Sequence, residues 1–341
     1  MASKDAPRIL ISRLGPIGDA ILTMPVACAL RRKYPHAHIG WVVEKPAARM
    51  LRNHESVDAL IELPPEWNRS IKNLQSVRQE LRKHKFQHTI DCQGGLWSSL
   101  LCRFTSAKKR IGFAGSASCV PARLLNNIVV TPVFTHVTDR CLELLTPLGV
   151  NAPKIRWNVP LTHQSREWAA GWRRTLRSDK LTVLNPGGTH PAKLWEADRF
   201  GTTARYLRDR YDHQCAVIWR TPEEQIMAQR IVDFAKGAAM MVPETDLHHL
   251  GALIETADLF ISGDTGPLHL AVAVGTPTIG LYGATKPGDS GPYGQIAIQK
   301  AYTKPMSPTD GNFAMRAIQV RDVCEAIDQQ QGREHDVVKA A

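Results

Sequence analysis

Runs rich in Val, Ile and Leu, each about the length of one strand, alternate with helical stretches from one end of this 341-residue chain to the other. Strands spaced by helices cannot pair as hairpins, so the pattern demands βαβ crossovers and parallel sheets. "RILISRL" (8 to 14), "HIGWVV" (38 to 43), "ALIELP" (59 to 64) and "FQHTIDCQGG" (86 to 95) form a first set. After the Pro- and Trp-containing stretch "NAPKIRWNVPLT" (151 to 162) the pattern begins again with "KLTVLNPGG" (180 to 188), "QCAVIWR" (214 to 220), "AAMMVP" (238 to 243), "DLFISG" (258 to 263) and "TPTIGLYG" (276 to 283). Two α/β domains meeting near 150 to 165 follow, and the length alone exceeds what one core usually serves.

Composition narrows the function classes. Seven scattered cysteines with no C-x-x-C pair argue against a disulfide framework or a zinc ribbon and favour a reducing compartment. The chain opens on a charge cluster rather than a secretory signal, and no apolar run is long enough to span a bilayer. The net charge of +11 is unevenly spread: residues 1 to 160 hold 23 Lys and Arg against 11 Asp and Glu, whereas residues 161 to 341 hold 20 against 21. "RRK" (31 to 33), "LRKHK" (81 to 85) and "KKR" (108 to 110) therefore suit a polyanionic partner, or else are solvated helix ends. Nucleic acid is disfavoured, because these cations are not interleaved with aromatic residues.

Ligands of open parallel sheets bind where strands end and loops turn into helices, so three loops carry the functional expectation. In "ISGDTGPLHLAVAVG" (261 to 275), Gly266 beside a helix start leaves amide groups facing an anion, and Thr265 adds a hydroxyl. Asp264 and His269 stand within one turn of it; the plainer reading is a capped helix and a core histidine. In "LNPGGTHPAKLWEADRF" (184 to 200), Lys193 arrives just before a helix starting near Trp195, a point charge suited to phosphate. In "RLGPIGDAIL" (13 to 22), Gly15 and Gly18 permit a tight turn with Asp19 at its mouth, either an N-cap or a carboxylate available as general base. This loop is neither a Walker A nor a dinucleotide G-x-G-x-x-G sequence. Pro25 implies that the following helix is kinked or starts after Asp19.

The segments "GPIGDAILTMP", "IDCQGG", "NPGGTHPAKLW" and "SGDTGPLHLAVAVGTPTIGLYGATKPGDSGPYG" resemble, in order, the signature segments of the lipopolysaccharide heptosyltransferases, glycosyltransferase family 9. The resemblance implies an α/β GT-B fold of two Rossmann-like, doubly wound domains facing a cleft: 1 to 160 for the acceptor and 161 to 330 for the sugar nucleotide. The segment 315 to 330 is expected to be helical and to pack back on the N-terminal domain, with a loose tail after it. The implied reaction is heptose transfer from ADP-heptose to a lipopolysaccharide inner-core acceptor, inverting and metal-independent, with no cofactor besides the ADP-sugar substrate. Asp19 would be the general base. Lys193 and the Thr265/Gly266 backbone would hold the pyrophosphate, with Asp264 and His269 on sugar or phosphates. Thr189 would line the same pocket and Glu224 would hold the ribose hydroxyls. No residue is assigned to the acceptor, a phosphorylated glycolipid at the inner membrane surface; the implied location is cytoplasmic and peripheral to the membrane, with no transmembrane segment and no nucleic-acid partner. Where family members often carry Lys after D-x-Q-G, this chain has Trp97, a departure at the acceptor. A sugar-nucleotide-binding GT-B protein, or a transferase with another donor or acceptor, shares every donor-side feature; Asp19 separates the idle binder from an enzyme.

Overall fold

The computed structural model describes residues 6–188, 190–283, 285–300 and 312–340, and the chain divides into two compact units, Met1–Pro160 and Leu161–Ala341. The first contains strands β1 (Arg8–Ser12), β2 (His38–Glu44), β3 (Ala59–Leu63), β4 (His88–Asp91), β5 (Lys109–Phe113) and β6 (Ile128–Val130). All pair in parallel, in the order β3-β2-β1-β4-β5-β6. The second contains β7 (Lys180–Asn185), β8 (His213–Val217), β9 (Ala239–Met241), β10 (Leu259–Gly263), β11 (Thr278–Tyr282) and β12 (Ile296–Gln299), likewise parallel, in the order β12-β11-β10-β7-β8-β9. Each sheet is thus wound outward in both directions from its middle pair. The order reverses between β1 and β4 in one sheet and between β7 and β10 in the other, and a crevice opens at the carboxyl ends of such a pair.

The strand interiors explain this arrangement. Ile9, Leu10 and Ile11 of β1, and Leu259, Phe260 and Ile261 of β10, are fully buried in succession, because helices cover both faces of each sheet. In the first unit the helices Ile17–Lys33, Lys45–Leu51 and Val137–Glu143 share one face, and Ile71–Lys83, Leu96–Phe104 and Val120–Leu125 the other. Apart from Asp19, the Ile17–Lys33 helix is buried from Gly18 to Leu30, apolar nearly all round rather than striped. It begins before Asp19 and continues through Pro25, so Asp19 lies in the first turn and the N-cap is Pro16.

In the second unit the helix Ala197–Tyr211 packs against Pro222–Ala235 and against the C-terminal helix Val320–Ala340. The helix expected to start near Trp195 begins at Ala197, after a short 3-10 turn at Pro191–Lys193. Trp195 is buried and donates its indole N–H to the Ile318 carbonyl (2.9 Å), pinning the approach to the last helix. Val323, Ala326 and Ile327 of that helix join the C-terminal core with Phe200, Leu207 and Leu281. The tail expected to be loose instead continues this helix to Ala340. Among the described residues no helix is long and apolar enough to cross a membrane.

Candidate functional site

The C-terminal crevice is built from the two loops that leave β7 and β10. Register places Asn185, the last residue of β7, beside Ser262 of β10. The Asn185 amide donates to the Ser262 hydroxyl (2.8 Å) and to the Thr265 hydroxyl (2.9 Å), while its carbonyl accepts from the Gly187 N–H (3.2 Å). The Ser262 hydroxyl donates to the Gly263 carbonyl (2.8 Å), and its oxygen lies 3.0 Å from Thr265 Oγ1. The Thr265 hydroxyl is therefore committed to Asn185 and Ser262 rather than to the helix it precedes. That helix, Gly266–Val274, has Thr265 at its N-cap position with no side-chain cap. Pro267, the second residue of this helix, has no N–H and the Leu268 N–H bonds the Thr265 carbonyl (3.1 Å), which leaves the Gly266 N–H at the end where the helix carries the partial positive charge that attracts anions.

Lys193 is brought to this point by backbone contact. The Gly263 Cα faces the Lys193 carbonyl so closely that a Cβ there would sit 2.8 Å from it, which fixes the 3-10 turn over the end of β10. Lys193 Nζ then bonds Asp264 Oδ2 at 2.8 Å and the Asp264 carbonyl at 3.2 Å. Asp264 Oδ1 lies 3.7 Å from His269 Nε2, and both residues are buried. A buried carboxylate is costly unless paired. Here a cation and an imidazole flank it, leaving an ammonium next to the open helix start. Tyr282, at the end of β11, is fully buried; burial, with the charge of Asp264 nearby, raises its phenol above the usual range.

Glu224 enters from the loop after β8. Its Oε2 accepts from the Thr221 N–H (3.4 Å) and its own N–H bonds Thr221 Oγ1 (3.3 Å), a reciprocal capping box that sets the start of the Pro222–Ala235 helix, and the same Oε2 accepts from the Arg220 N–H (2.9 Å). Its other oxygen presses on Gly187, where a Cβ would meet Oε1 at 2.4 Å. Lys193, Asp264, Thr265, Gly266 and His269 thus gather at one crevice, and Glu224 touches the loop that borders it. Thr189 lies outside the described residues.

The N-terminal crevice is formed by the ends of β1 and β4. Gly15 adopts φ +137°, a conformation side chains rarely reach, and a Cβ there would lie 2.6 Å from Asp19 Oδ2. Glycine therefore lets the carboxylate fold over the turn. Arg13, which sequence reading passes over, holds Asp19 Oδ1 at 3.2 Å and donates to the Cys92 carbonyl at 2.6 Å. In the loop after β4, Gln93 Oε1 accepts the Leu14 N–H (2.8 Å), and buried Asp91 at the end of β4 accepts the Gln93 and Gly94 N–H groups (3.1 and 3.0 Å). Burial raises the Asp91 carboxyl, and these hydrogen bonds oppose the rise. Asp91 braces the loop; Asp19, about one-third exposed, is the carboxylate that meets solvent. Trp97 is partly exposed and meets the buried Trp67 edge-on, ring centroids 5.5 Å apart.

Three kinds of likeness bear on this geometry. Residues 74–311 match the family model "Glycosyltransferase family 9 (heptosyltransferase)". The chain is 26% identical to the lipopolysaccharide core heptosyltransferase OpsX of Haemophilus influenzae, over 94% of this chain and 96% of that one. It is also 26% identical to lipopolysaccharide heptosyltransferase 3 of Escherichia coli K12, over 79% and 80%. Among solved structures, a family 9 glycosyl transferase from Veillonella parvula superposes with a TM-score of 0.79 at 22% identity, covering 96% of this chain and 97% of that one. Escherichia coli heptosyltransferase WaaC with ADP superposes at 0.76 and 23%, covering 95% and 99%. The α/β, two-Rossmann-domain GT-B fold class expected from the sequence is the fold these structures share with this chain.

Proposed function

Since the chain belongs to glycosyltransferase family 9, and is thereby a glycosyltransferase, we propose that it moves heptose from ADP-heptose to an inner-core acceptor of lipopolysaccharide. The observation that carries this reading is the Lys193–Asp264 pair at the uncapped start of the Gly266–Val274 helix, at the reversal point of the second sheet. Departure of ADP places negative charge on the β-phosphate, and preorganised donors aimed at that charge lower the barrier. Lys193 and the helix start are such donors, held in place before any ligand arrives. Asp264, paired to Lys193 and near His269, fixes the ammonium there, and Glu224 beside Gly187 suits the ribose hydroxyls. The relatives support this reading: they are heptosyltransferases of lipopolysaccharide, and one of the similar structures is WaaC with ADP.

In this reading Asp19 takes the proton from the acceptor hydroxyl as that oxygen attacks the anomeric carbon from the face opposite ADP. One displacement inverts the configuration, and the diphosphate charge is met by Lys193 and backbone amides rather than by a metal. The Arg13 contact leaves one Asp19 oxygen for the acceptor. The enzyme would work in the cytoplasm, reaching a phosphorylated glycolipid at the membrane surface.

Paired variants test the assignment. Asp19→Asn is expected to lose at least ~100-fold in turnover, the scale of general-base catalysis, while ADP still raises the melting temperature. Lys193→Met is expected to weaken ADP about ten- to one-hundred-fold, the worth of a hydrogen bond from a charged donor. Full turnover by Asp19→Asn would remove the base from the mechanism. Equal protection by ADP, UDP and GDP would remove the donor assignment.

A further inference from the structure

Large apolar side chains are left exposed mainly in the first unit, and there they follow the topology. Eight of the eleven such side chains among the described residues lie before residue 160, and all but Val129 and Leu124 sit where segments leave the carboxyl ends of strands; Leu124, at the far end of its helix, lies toward the start of β5. Ile71 follows β3, Leu96 and Trp97 follow β4, Val120 follows β5, and Val133 and Phe134 follow β6. Local contacts join these segments into one rim. Trp97 packs on Trp67, the Cys119 N–H bonds the Gly94 carbonyl (3.0 Å), and the Ala114 N–H bonds the Val130 carbonyl (2.8 Å). Exposed apolar residues scattered singly need no explanation, but a continuous row along one edge of a sheet does.

The charge on the same edge identifies the occupant. The segments 44–52, 64–72, 94–98, 114–124 and 131–140 carry seven Lys and Arg against three Asp and Glu. Lys45, Arg49, Lys72 and Arg123 are exposed and have no carboxylate partner among the described residues. Apolar side chains interspersed with unpaired cations match the two attractions of an anionic bilayer, whose acyl boundary takes the first and whose headgroups take the second. The rim lies at the carboxyl edge of the strands, the edge from which Asp19 also emerges after β1. We propose that this rim seats the first unit on an anionic phospholipid surface, presenting a lipid-anchored acceptor to the edge that carries Asp19. The proposal rests on the glycolipid-acceptor reading given above.

Co-sedimentation with phosphatidylglycerol-containing vesicles and with pure phosphatidylcholine vesicles tests it on the full chain. The protein is expected to bind the former, to be released by salt, and to ignore the latter. Val120→Asp/Phe134→Asp and, separately, Lys45→Glu/Lys72→Glu are each expected to weaken binding at least about ten-fold. Both pairs are exposed, so the melting temperature and its rise with ADP should match the parent. Transfer to a deacylated, water-soluble acceptor should also be retained. Binding indifferent to lipid charge, or unchanged in both double variants, overturns the proposal. So does a concentration-dependent dimer abolished by Val120→Asp/Phe134→Asp, which would give the rim to a second copy. Vesicle binding with no transfer to any acceptor would count against the enzymatic reading alone.

Discussion

At the scale of single residues, the site depends on atoms that are missing. Gly15 has no Cβ, and the space a Cβ would occupy is filled by Asp19 Oδ2 at 2.6 Å. Alanine there would meet two penalties: a backbone at φ +137° that L-residues rarely adopt, and a carboxylate in the way. The strain costs about 1–3 kcal/mol, which a well-packed unit can absorb. The displaced carboxylate is a different matter, since a misplacement of about 1 Å in a reacting group can cost ~100-fold in rate. Gly15→Ala is therefore expected to fold, to keep ADP binding, and to lose turnover ten-fold or more. A variant with parental kcat would show that Asp19 is not held by this turn. The candidate loops were legible because Gly, Asp, Thr and Lys stand out after apolar runs. Arg13, Asn185 and Ser262 were not, since a polar residue at the end of a strand gives no hint of which neighbouring strand it will meet. Only the register, Asn185 beside Ser262, turns them into a brace for Thr265.

At the scale of elements, nine of the twelve strands were readable as β-branched runs, and the three that escaped are at or near sheet edges. β6 sits between Asn126-Asn127 and Thr131-Pro132, and β12 between Gly294-Gln295 and Lys300, so polar and turn-forming neighbours hide their short apolar runs. β5 begins with Lys109 and Arg110, which in the sequence look like part of a basic cluster. In the fold Arg110 donates to the Leu125 and Ala107 carbonyls, so one cation of that cluster serves the structure; burial lowers its pKa, and nearby Arg103 adds to the effect. Helix crossings were equally illegible, because they depend on where two small residues meet. Gly201, inside Ala197–Tyr211, is such a point: a Cβ there would lie 2.4 Å from Phe234 Cβ and 3.0 Å or less from the backbone of Phe234 and Ala235. Alanine gains about 0.5–1 kcal/mol in helix propensity, but overpacking against backbone costs about 1–3 kcal/mol. The second effect wins where the neighbour cannot rotate away. Gly201→Ala is expected to lower urea stability by about 1–2 kcal/mol net; a midpoint equal to or above the parent's would mean that the two helices can part without loss.

At the scale of the whole molecule, both units bury histidines in their neutral form, and this couples folding to pH. His54, in the first unit, is buried, with Nδ1 accepting from the Ser56 N–H (3.2 Å) and Nε2 against the Trp157 carbonyl (2.8 Å). Burial lowers its pKa from the usual value. His213, in the second unit, faces Thr182 through Nδ1 (2.8 Å), while Nε2 is buried with no partner among the described residues. Burial pushes it from 6.5 down to about 4. Below pH 6.5 the unfolded chain takes up a proton at this position that the folded chain refuses, so stability falls as the pH drops through that window and the loss is complete near pH 4. For His213 alone the loss amounts to about 3 kcal/mol. Carboxylates held low in the fold, Asp246 and Asp322, add their own loss only near and below their usual pKa of 3.8, at the acid end of that range. Urea titrations at pH 7 and pH 4.5 are therefore expected to show a marked acid destabilisation of the parent, and His213→Asn should recover most of the second unit's share while lowering stability at pH 7. A difference between the two proteins that does not change between pH 7 and 4.5 would mean that the imidazole takes up its proton as readily in the fold as in the unfolded chain, and that its burial beside Thr182 does not exclude the cation.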